Sequence, residues 1–192
     1  MTAVGAGSVP RPLPPMDVLD HISAGIFAAT MAPLFEGAPR FLGRLAVARP
    51  FGTLEALFDG ARRIAHAMPI AEQLELIDAH SRLGAPPASV SAMSFVEQGF
   101  DQDAADRAAH EAGTERSRVA AELDRLNTAY EARFGFRYCV FVAGRPRAKL
   151  LEGLREALAG DRSAEISRAI DAVVDIAADR AAKLGVATEE DT

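Results

Sequence analysis

Residues 163–184 read SAEISRAIDAVVDIAADRAAKL, and this stretch decides the fold class. Its apolar side chains recur every three or four residues, a spacing that places them on one face of a helix. The stripe consists of Ile166, Ile170, Val173, Ala177 and Leu184. A helix with one apolar face has to bury that face against neighbouring elements. We therefore expect this stretch to form a helix that buries its apolar face in the domain core.

Composition favours the same fold class along the rest of the chain. Alanine is plentiful, aromatic residues make up 6% and Trp is absent, whereas strands favour β-branched and aromatic residues. Apolar periodicity, prolines and polar caps predict the further helices. These extend from Asp17 to Gly37 with breaks, from Pro39 to just before Pro50, onward from Thr53 as a cap, from Pro69 to His80, from about Ala104 to Arg133, and from about Pro146 to Leu158. Gly113 offers a break in the helix that ends near Arg133, and Gly135 is placed to cap that helix.

The chain is expected to form one domain. Its 192 residues suffice for one ordinary domain with a sizeable core. The opening MTAVGAGSVPRPLPP is rich in Pro and Gly, and the chain ends in TEEDT. We predict an all-α, single-domain bundle of about eight to nine helices over residues 17–186, with a disordered tail over 1–16 and a disordered acidic tail over 187–192.

The charge and hydropathy patterns exclude several classes of partner. The formal net charge is −6, and an acidic chain gains nothing from the release of phosphate counterions, so no nucleic-acid partner is expected. No apolar stretch reaches transmembrane length, and no basic run suggests a membrane-binding patch. The opening segment lacks the apolar core of a signal peptide. We therefore expect a cytoplasmic protein that does not bind membranes.

The sequence contains no recognisable cofactor motif. Cys139 is the only cysteine, which excludes an internal disulfide and a Cys-rich metal site; within YCVFVAG we expect it to be a small buried hydrophobic residue. No two histidines have metal-ligand spacing, and there is no Gly-rich phosphate loop or nucleotide fingerprint. We therefore expect chemistry without a metal or cofactor, although His and carboxylate ligands leave a metal open in principle.

Arg180 interrupts the apolar stripe of the last helix. It follows Val173 by seven residues and precedes Leu184 by four, so it lies on the face that should be buried. A buried guanidinium has to bind an anion or reach water. Two hypotheses remain open: an Arg at the edge of the stripe with its charged head in solvent, or a carboxylate-binding Arg in a pocket between helices.

His80 ends a predicted helix on its apolar side, and a Gly/Pro-containing loop follows it. The carboxyl end of a helix favours the charged imidazolium, which suits a proton donor. The alternative is a packed or capping histidine. The other histidines, His21, His66 and His110, have no comparable setting.

The segment SFVEQ, residues 94–98, predicts the start of a helix. Ser94 and Glu97 have the spacing of a capping box, which explains both residues structurally. It does not explain Gln98. Because a helix start directs backbone N–H groups toward whatever binds there, the same segment can also belong to an anion-binding site.

Five motifs occur in a recognisable order. They are LFEGAP (34–39), EQLELIDAHSRLGAP (72–86), SAMSFVEQ (91–98), LNTAYEARFGFRY (126–138) and the final helix bearing Arg180. Their order and spacing resemble those of the 2-oxo-4-hydroxy-4-carboxy-5-ureidoimidazoline (OHCU) decarboxylase family over roughly Leu19 to Leu184. The resemblance implies a helical bundle, commonly a homodimer, that uses no cofactor. It also implies the last step from urate to (S)-allantoin, with a small anionic ureidoimidazoline as substrate.

The resemblance assigns roles to individual residues. It implies catalytic roles for His80, Glu97 and Arg180: His80 as general acid or base, Glu97 orienting it or bonding ureido N–H groups, and Arg180 binding an anionic group of the substrate. It implies substrate-binding positions at Ser94, Gln98, Phe134, Gly135 and Phe136, and no metal ligands.

Three residues depart from the family pattern. Ser81 stands where the family usually has Pro after the histidine, Arg137 replaces the Pro of FGFPF, and Arg40 replaces a Trp. Losing Pro frees the backbone beside His80 and can loosen its aim. These departures keep open a diverged member that acts on or binds another small carboxylate. A third hypothesis is an inactive helical interaction module, but a scaffold has no reason to keep a charged Arg180 in a core stripe.

Overall fold

The computed structural model describes residues 11–85, 90–98 and 110–187. Within these ranges the chain forms nine helices and no strand, which confirms the prediction of an all-α bundle of about eight to nine helices. The helices are α1 (Met16–His21), α2 (Ala24–Met31), α3 (Pro39–Val47), α4 (Leu54–Ala67), α5 (Ile70–Ala79), α6 (Ala92–Glu97), α7 (His110–Phe134), α8 (Arg147–Ala159) and α9 (Arg162–Leu184).

Helix α9 is the central element of the bundle and packs against α4 and α5. It begins at an Asp161 cap whose carboxylate accepts hydrogen bonds from the backbone N–H groups of Ser163 and Ala164, at 2.8 and 3.3 Å. The predicted stripe is buried from Ile166 to Ala177, and Leu184 packs against its edge. The periodicity of this segment therefore identified the buried face of the helix correctly.

Two further sets of helices pack together. Helix α3 packs against α2, α4 and α5, while α7 packs against α8. The segment 135–146 links α7 to α8 without forming a regular element, and through Arg137 it contacts the carboxyl end of α5. As a result, the end of α5, the short α6 and residues 138–143 all face the carboxyl-terminal half of α9.

Two predicted boundaries are confirmed by their geometry. Thr53 caps α4, since its side chain accepts a hydrogen bond from the N–H of Ala56 at 3.1 Å. Gly135 follows α7 with φ of 78°, a left-handed conformation that glycine adopts without strain. Helix α7 is continuous through Gly113, where a break had been considered, and the residues predicted to begin it, 104–109, lie outside the described residues.

The packed part of the chain begins before residue 17, where the sequence had placed the domain boundary. Leu13 is 3% exposed, its N–H donates to the carbonyl of Gly185 at 2.9 Å, and its carbonyl accepts from Ala187 at 2.8 Å. Pro-rich composition concealed this pairing because its partner lies at the other end of the chain. The rest of both predicted tails, 1–10 and 188–192, lies outside the described residues.

None of the described helices is both long enough and apolar enough to span a membrane.

Candidate functional site

A cavity of about 50 Å³ lies between the end of α5, helix α6, the segment 138–143 and helix α9. Five of the eight residues singled out from the sequence line it: His80, Ser94, Glu97, Gln98 and Arg180. They come from three separate parts of the chain, so only the packing of α5 and α6 on α9 brings them together. The arrangement makes this cavity the candidate active site.

Arg180 is fully buried, with 1% of its surface exposed. A guanidinium has five N–H donors, and those of Arg180 face six protein acceptors. Nε contacts Glu97 at 2.6 Å; Nη1 contacts the carbonyls of Pro33 and Leu34 at 2.9 and 3.2 Å; Nη2 contacts Glu36, Ser94 and Glu97 at 2.8, 3.1 and 2.8 Å. The solvated-head hypothesis is therefore wrong. Arg180 can bind a substrate anion only if one of these acceptors gives way.

Glu97 binds Arg180 through both carboxylate oxygens in a two-pronged ion pair. Its role as a residue that orients His80 receives no support, because the hydrogen bond observed at the imidazole goes to the Leu76 carbonyl instead. Each Glu97 oxygen still has a free lone pair in this pairing, so the carboxylate can accept ureido N–H groups at the cavity wall.

Glu36 is a residue of the site that sequence reasoning missed. Its Oε1 accepts hydrogen bonds from Ser91 at 2.8 Å, Ser94 at 2.9 Å and Arg180 at 2.8 Å. Burial by itself raises the pKa of Glu36, but the charge of Arg180 and the hydrogen bonds from Ser91, Ser94 and Arg180 bring the pKa below its ordinary value. Glu36 is therefore a second, partly buried anion beside Arg180.

Glu36 lies in a tight turn, and the turn is the only feature of this segment that the sequence indicates. Glu36 has φ of 52°, uncommon for a residue with a side chain, and Gly37 follows with φ of 85°. The letters LFEGAP indicate a turn, but they do not show that the turn lies over Arg180, which is 144 residues further along the chain.

The predicted capping box at Ser94 is wrong. Helix α6 begins at Ala92, two residues before Ser94, and the side chain of Ser91 accepts the N–H of Ser94 at 3.1 Å. Ser91 therefore caps the helix. The hydroxyl of Ser94 is left to bridge Glu36 and Arg180, with 5% of the residue exposed.

His80 is the residue that ends α5, and it is 5% exposed. Its Nδ1 lies 3.3 Å from the carbonyl of Leu76. Because a carbonyl can only accept, Nδ1 carries the hydrogen and Nε2 carries the lone pair. Nε2 is buried and has no hydrogen-bond partner among the described residues. A buried acceptor without a partner is uncommon in native proteins and suggests that a ligand completes it.

The imidazole of His80 is neutral, contrary to the charged form expected from the helix end. Burial lowers the pKa of His80 to about 4, and the charge of Arg180 acts in the same direction, while the charge of Glu36 opposes both. The helix terminus is outweighed because a solvent-free imidazolium facing a guanidinium is unfavourable. A neutral imidazole whose Nε2 lone pair has no partner among the described residues can accept a proton, as a general base does.

Gln98 is engaged with the loop that follows His80. Its Oε1 accepts the N–H of Gly84 at 2.7 Å, and its Nε2 donates to the carbonyl of Arg82 at 3.4 Å. Asn127 donates to the neighbouring carbonyl of Leu83 at 2.9 Å. Gln98 therefore lines the cavity and at the same time fixes residues 82–84, a role the sequence did not suggest.

Phe134, Gly135 and Phe136 do not line this cavity. Phe134 and Phe136 pack in an aromatic cluster around Tyr130, with ring centroids 4.6 and 5.5 Å from its own, where Tyr138 also contacts Tyr130. The cavity wall is formed instead by residues 138–143. The motif marked the right segment, but the chain turns toward the cavity only after residue 137.

Cys139 is a small buried residue, as expected. It is 6% exposed, and burial raises the pKa of its thiol to about 12, so the thiolate needed for nucleophilic chemistry does not form near neutral pH. The described residues contain no group of three or more His, Cys, Asp or Glu side chains that could hold a metal ion.

Comparison with known proteins supports the family resemblance. The family model described as OHCU decarboxylase matches residues 20–182. The chain is 29% identical over 169 residues to the uric acid degradation bifunctional protein PucL of Bacillus subtilis, covering 88% of this chain and 32% of that protein. It is 24% identical over 151 residues to the 2-oxo-4-hydroxy-4-carboxy-5-ureidoimidazoline decarboxylase of Haloferax volcanii, covering 79% and 84%.

Two solved structures share the fold. A crystal structure of OHCU decarboxylase in the presence of (S)-allantoin has a TM-score of 0.58 at 23% identity, covering 80% of this chain and 94% of that one. A crystal structure of (S)-allantoin synthase has a TM-score of 0.63 at 18% identity, covering 91% and 54%. The chain spans about a third of the length of the Bacillus relatives it matches. Because the family model covers most of the chain, this protein belongs to the OHCU decarboxylase family.

Proposed function

We propose that the chain decarboxylates OHCU to (S)-allantoin without a cofactor. Family membership supports the reaction, and the unpartnered Nε2 of buried, neutral His80 is the observation that carries the assignment of the base. A small anionic ureidoimidazoline offers a hydroxyl that can complete this acceptor. The neighbouring carboxylate of Glu97 supplies acceptors for ureido N–H groups.

The proposed chemistry balances with the protein groups present. The bond to the carboxylate carbon breaks, CO₂ leaves, and the electron pair stays in the conjugated imidazoline ring, which is why no external electron sink is required. The substrate hydroxyl gives its proton to Nε2 of His80, and one proton is added to the neighbouring ring carbon. CO₂ leaves without charge, so the negative charge stays in the ring, and a second proton, taken from solvent, neutralises it at a ring nitrogen. His80 thus acts as a general base, and as the acid if the same proton is returned.

In this proposal Arg180 contributes in two ways. It holds Glu97 in place through the two-pronged ion pair, and its positive charge offsets carboxylate charge beside a cavity that receives an anion. Direct contact between Arg180 and the substrate requires displacement of an acceptor such as Glu36. Ser94, which already bridges these two charges, is the hydroxyl best placed to follow that change.

The reaction can be tested with freshly generated substrate. OHCU is produced by coupling uricase with hydroxyisourate hydrolase, and the loss of its ultraviolet and circular dichroism signals is followed with and without the chain. We expect accelerated loss that yields (S)-allantoin, unchanged in EDTA. A folded chain that does not accelerate the loss would exclude this function and leave the diverged or non-catalytic hypotheses.

The departures from the family pattern bear unequally on the diverged-ligand alternative. Arg40 lies on the surface in an ion pair with Glu75 at 3.2 Å and does not line the cavity, so it gives that alternative no support. Ser81 lines the cavity and Arg137 contacts the backbone of His80, so only these two bear on ligand choice.

We also propose a cytoplasmic homodimer, on the strength of the resemblance and the charge pattern. Light scattering coupled to size-exclusion chromatography should give twice the mass of the chain. A monomer at micromolar concentration would contradict it.

A further inference from the structure

Arg137 connects the segment 135–146 to the carboxyl end of α5. Its backbone N–H donates to Oδ1 of Asp78 at 2.8 Å. Its Nη1 donates to the carbonyls of Asp78 at 2.8 Å and His80 at 3.0 Å. The last carbonyls of a helix lack partners within the helix, and an arginine side chain can satisfy them. Here one of the two carbonyls belongs to the residue that carries the imidazole.

The imidazole itself is weakly restrained. The hydrogen bond between Nδ1 and the Leu76 carbonyl is 3.3 Å long, and Nε2 has no partner in the described part of the chain. The direction of the ring therefore depends on the backbone of His80. The other contacts of the loop involve residues from 82 onward: Arg82 binds Glu131 on α7, Gln98 accepts the N–H of Gly84, and Asn127 donates to the carbonyl of Leu83. Among the contacts of this loop, the one to the carbonyl of His80 comes from Arg137.

We propose that Arg137 is a positioning residue that holds the backbone of His80, so that Nδ1 stays on Leu76 and the Nε2 lone pair stays directed for proton transfer. This inference rests on the proposed function for its kinetic consequence. It acts through geometry: the guanidinium touches neither the cavity nor a reacting atom. A misdirected general base lowers the rate of the proton-transfer step far more than it lowers substrate binding.

The first test is Arg137→Met, which keeps the length of the side chain and removes its donors. We expect kcat to fall about tenfold or more while KM changes little. Arg133→Met is the matched control, because Arg133 is another exposed arginine that donates to a backbone carbonyl, that of Gly160 at 3.2 Å, far from the cavity. The control should keep wild-type kcat.

A second substitution separates positioning from a general loss of structure. Adding Ser81→Pro to Arg137→Met restricts His80 to an extended backbone, which His80 already has with ψ of 145°. We expect Pro at 81 to restore most of the lost kcat. Failure of this double variant to recover, while it remains folded, would count against a backbone mechanism.

The third measurement does not depend on the substrate. Nitrogen-15 NMR of the His80 ring, assigned with His80→Asn, should show one neutral tautomer with hydrogen on Nδ1 in the wild type, and a mixture of tautomers in Arg137→Met. A folded Arg137→Met chain with unchanged kcat, or with an unchanged tautomer, overturns the proposal. If the wild type does not decarboxylate OHCU, the proposed function fails, and the tautomer measurement still decides the role of Arg137.

Discussion

Arg180 on α9 and His80 at the end of α5 lie in the same cavity and are almost equally buried, at 1% and 5% exposure. Their hydrogen bonding is opposite. Every N–H of Arg180 has a protein acceptor, whereas Nε2 of His80 has none among the described residues. Burial alone therefore does not distinguish a polar group with all its hydrogen bonds made from one left open to a ligand.

The different hydrogen bonding of the two residues predicts different roles for them. A buried charge is tolerated only when it is paired and hydrogen-bonded, so Arg180 has to be satisfied before any ligand arrives. A neutral imidazole with one open acceptor costs less, and it leaves that acceptor for a ligand. Arg180 should consequently govern the stability of the fold, and His80 should govern turnover.

Arg180→Met removes the fully hydrogen-bonded guanidinium, and we expect it to have the largest effect of the variants considered. It leaves the partly buried carboxylates of Glu36 and Glu97 without their buried cation, so we expect a loss of about 3–5 kcal/mol in the free energy of unfolding and no turnover. Urea unfolding measures this. The control is Arg62→Met, which removes a more exposed arginine paired with Asp171 and Asp175 and should lose about 1 kcal/mol or less. Equal losses for the two variants would contradict the division of roles.

His80→Asn removes the unpartnered Nε2 acceptor, and we expect the variant to stay folded. The Asn amide can still donate to the Leu76 carbonyl, but it cannot take up a proton, so we expect a loss of about 10²–10⁴-fold in kcat. The free energy of unfolding should stay within about 1 kcal/mol of wild type, since no partner of Nε2 is left unpaired. Wild-type turnover in the variant would remove His80 from the mechanism.

The pH dependence of stability should reveal the neutral His80. The pKa of His80 is about 4 in the folded chain and about 6.5 when unfolded, so between these values the unfolded chain binds the additional proton. Stability is therefore complete above about pH 6.5 and is lost progressively as the pH falls toward 4, by roughly 3 kcal/mol from this group. Urea unfolding of wild type and His80→Asn from pH 7 to 4 isolates the contribution. Parallel curves would show that folding does not lower the pKa of His80.

Ser81→Pro should have the smallest effect, and it tests whether the backbone beside His80 can be restricted without loss of turnover. Since His80 already has the extended backbone that precedes proline, we expect turnover equal to or above wild type and a gain of about 0.4–1 kcal/mol in the free energy of unfolding. Steady-state kinetics and urea unfolding test both. A folded variant without decarboxylation would indicate a loop rebuilt for a different ligand and would favour the diverged-member hypothesis.

The sequence alone was sufficient to predict the helices and to place Arg180 on the apolar face of the last one, although it left open whether the guanidinium is buried. Period and capping are local properties, set by residues within one or two turns of each other, so the register of α9 follows without knowledge of any partner. The same locality explains the confirmed caps at Thr53 and Gly135. Motif order was specific enough to indicate the family and to select five residues that share one cavity.

The partners of Arg180 and the protonation state of His80 became known only from the tertiary structure. Glu36, the Ser91 cap and the Arg137 contact to the backbone of His80 come from segments whose separation in sequence carries no information about contact. The pKa of His80 is lowered by burial under other elements and by the charge of Arg180 on α9. Together these two causes outweigh the local effect of the helix end. Electrostatic and hydrogen-bonding states are properties of the packed neighbourhood, and that neighbourhood exists only after the helices have packed together.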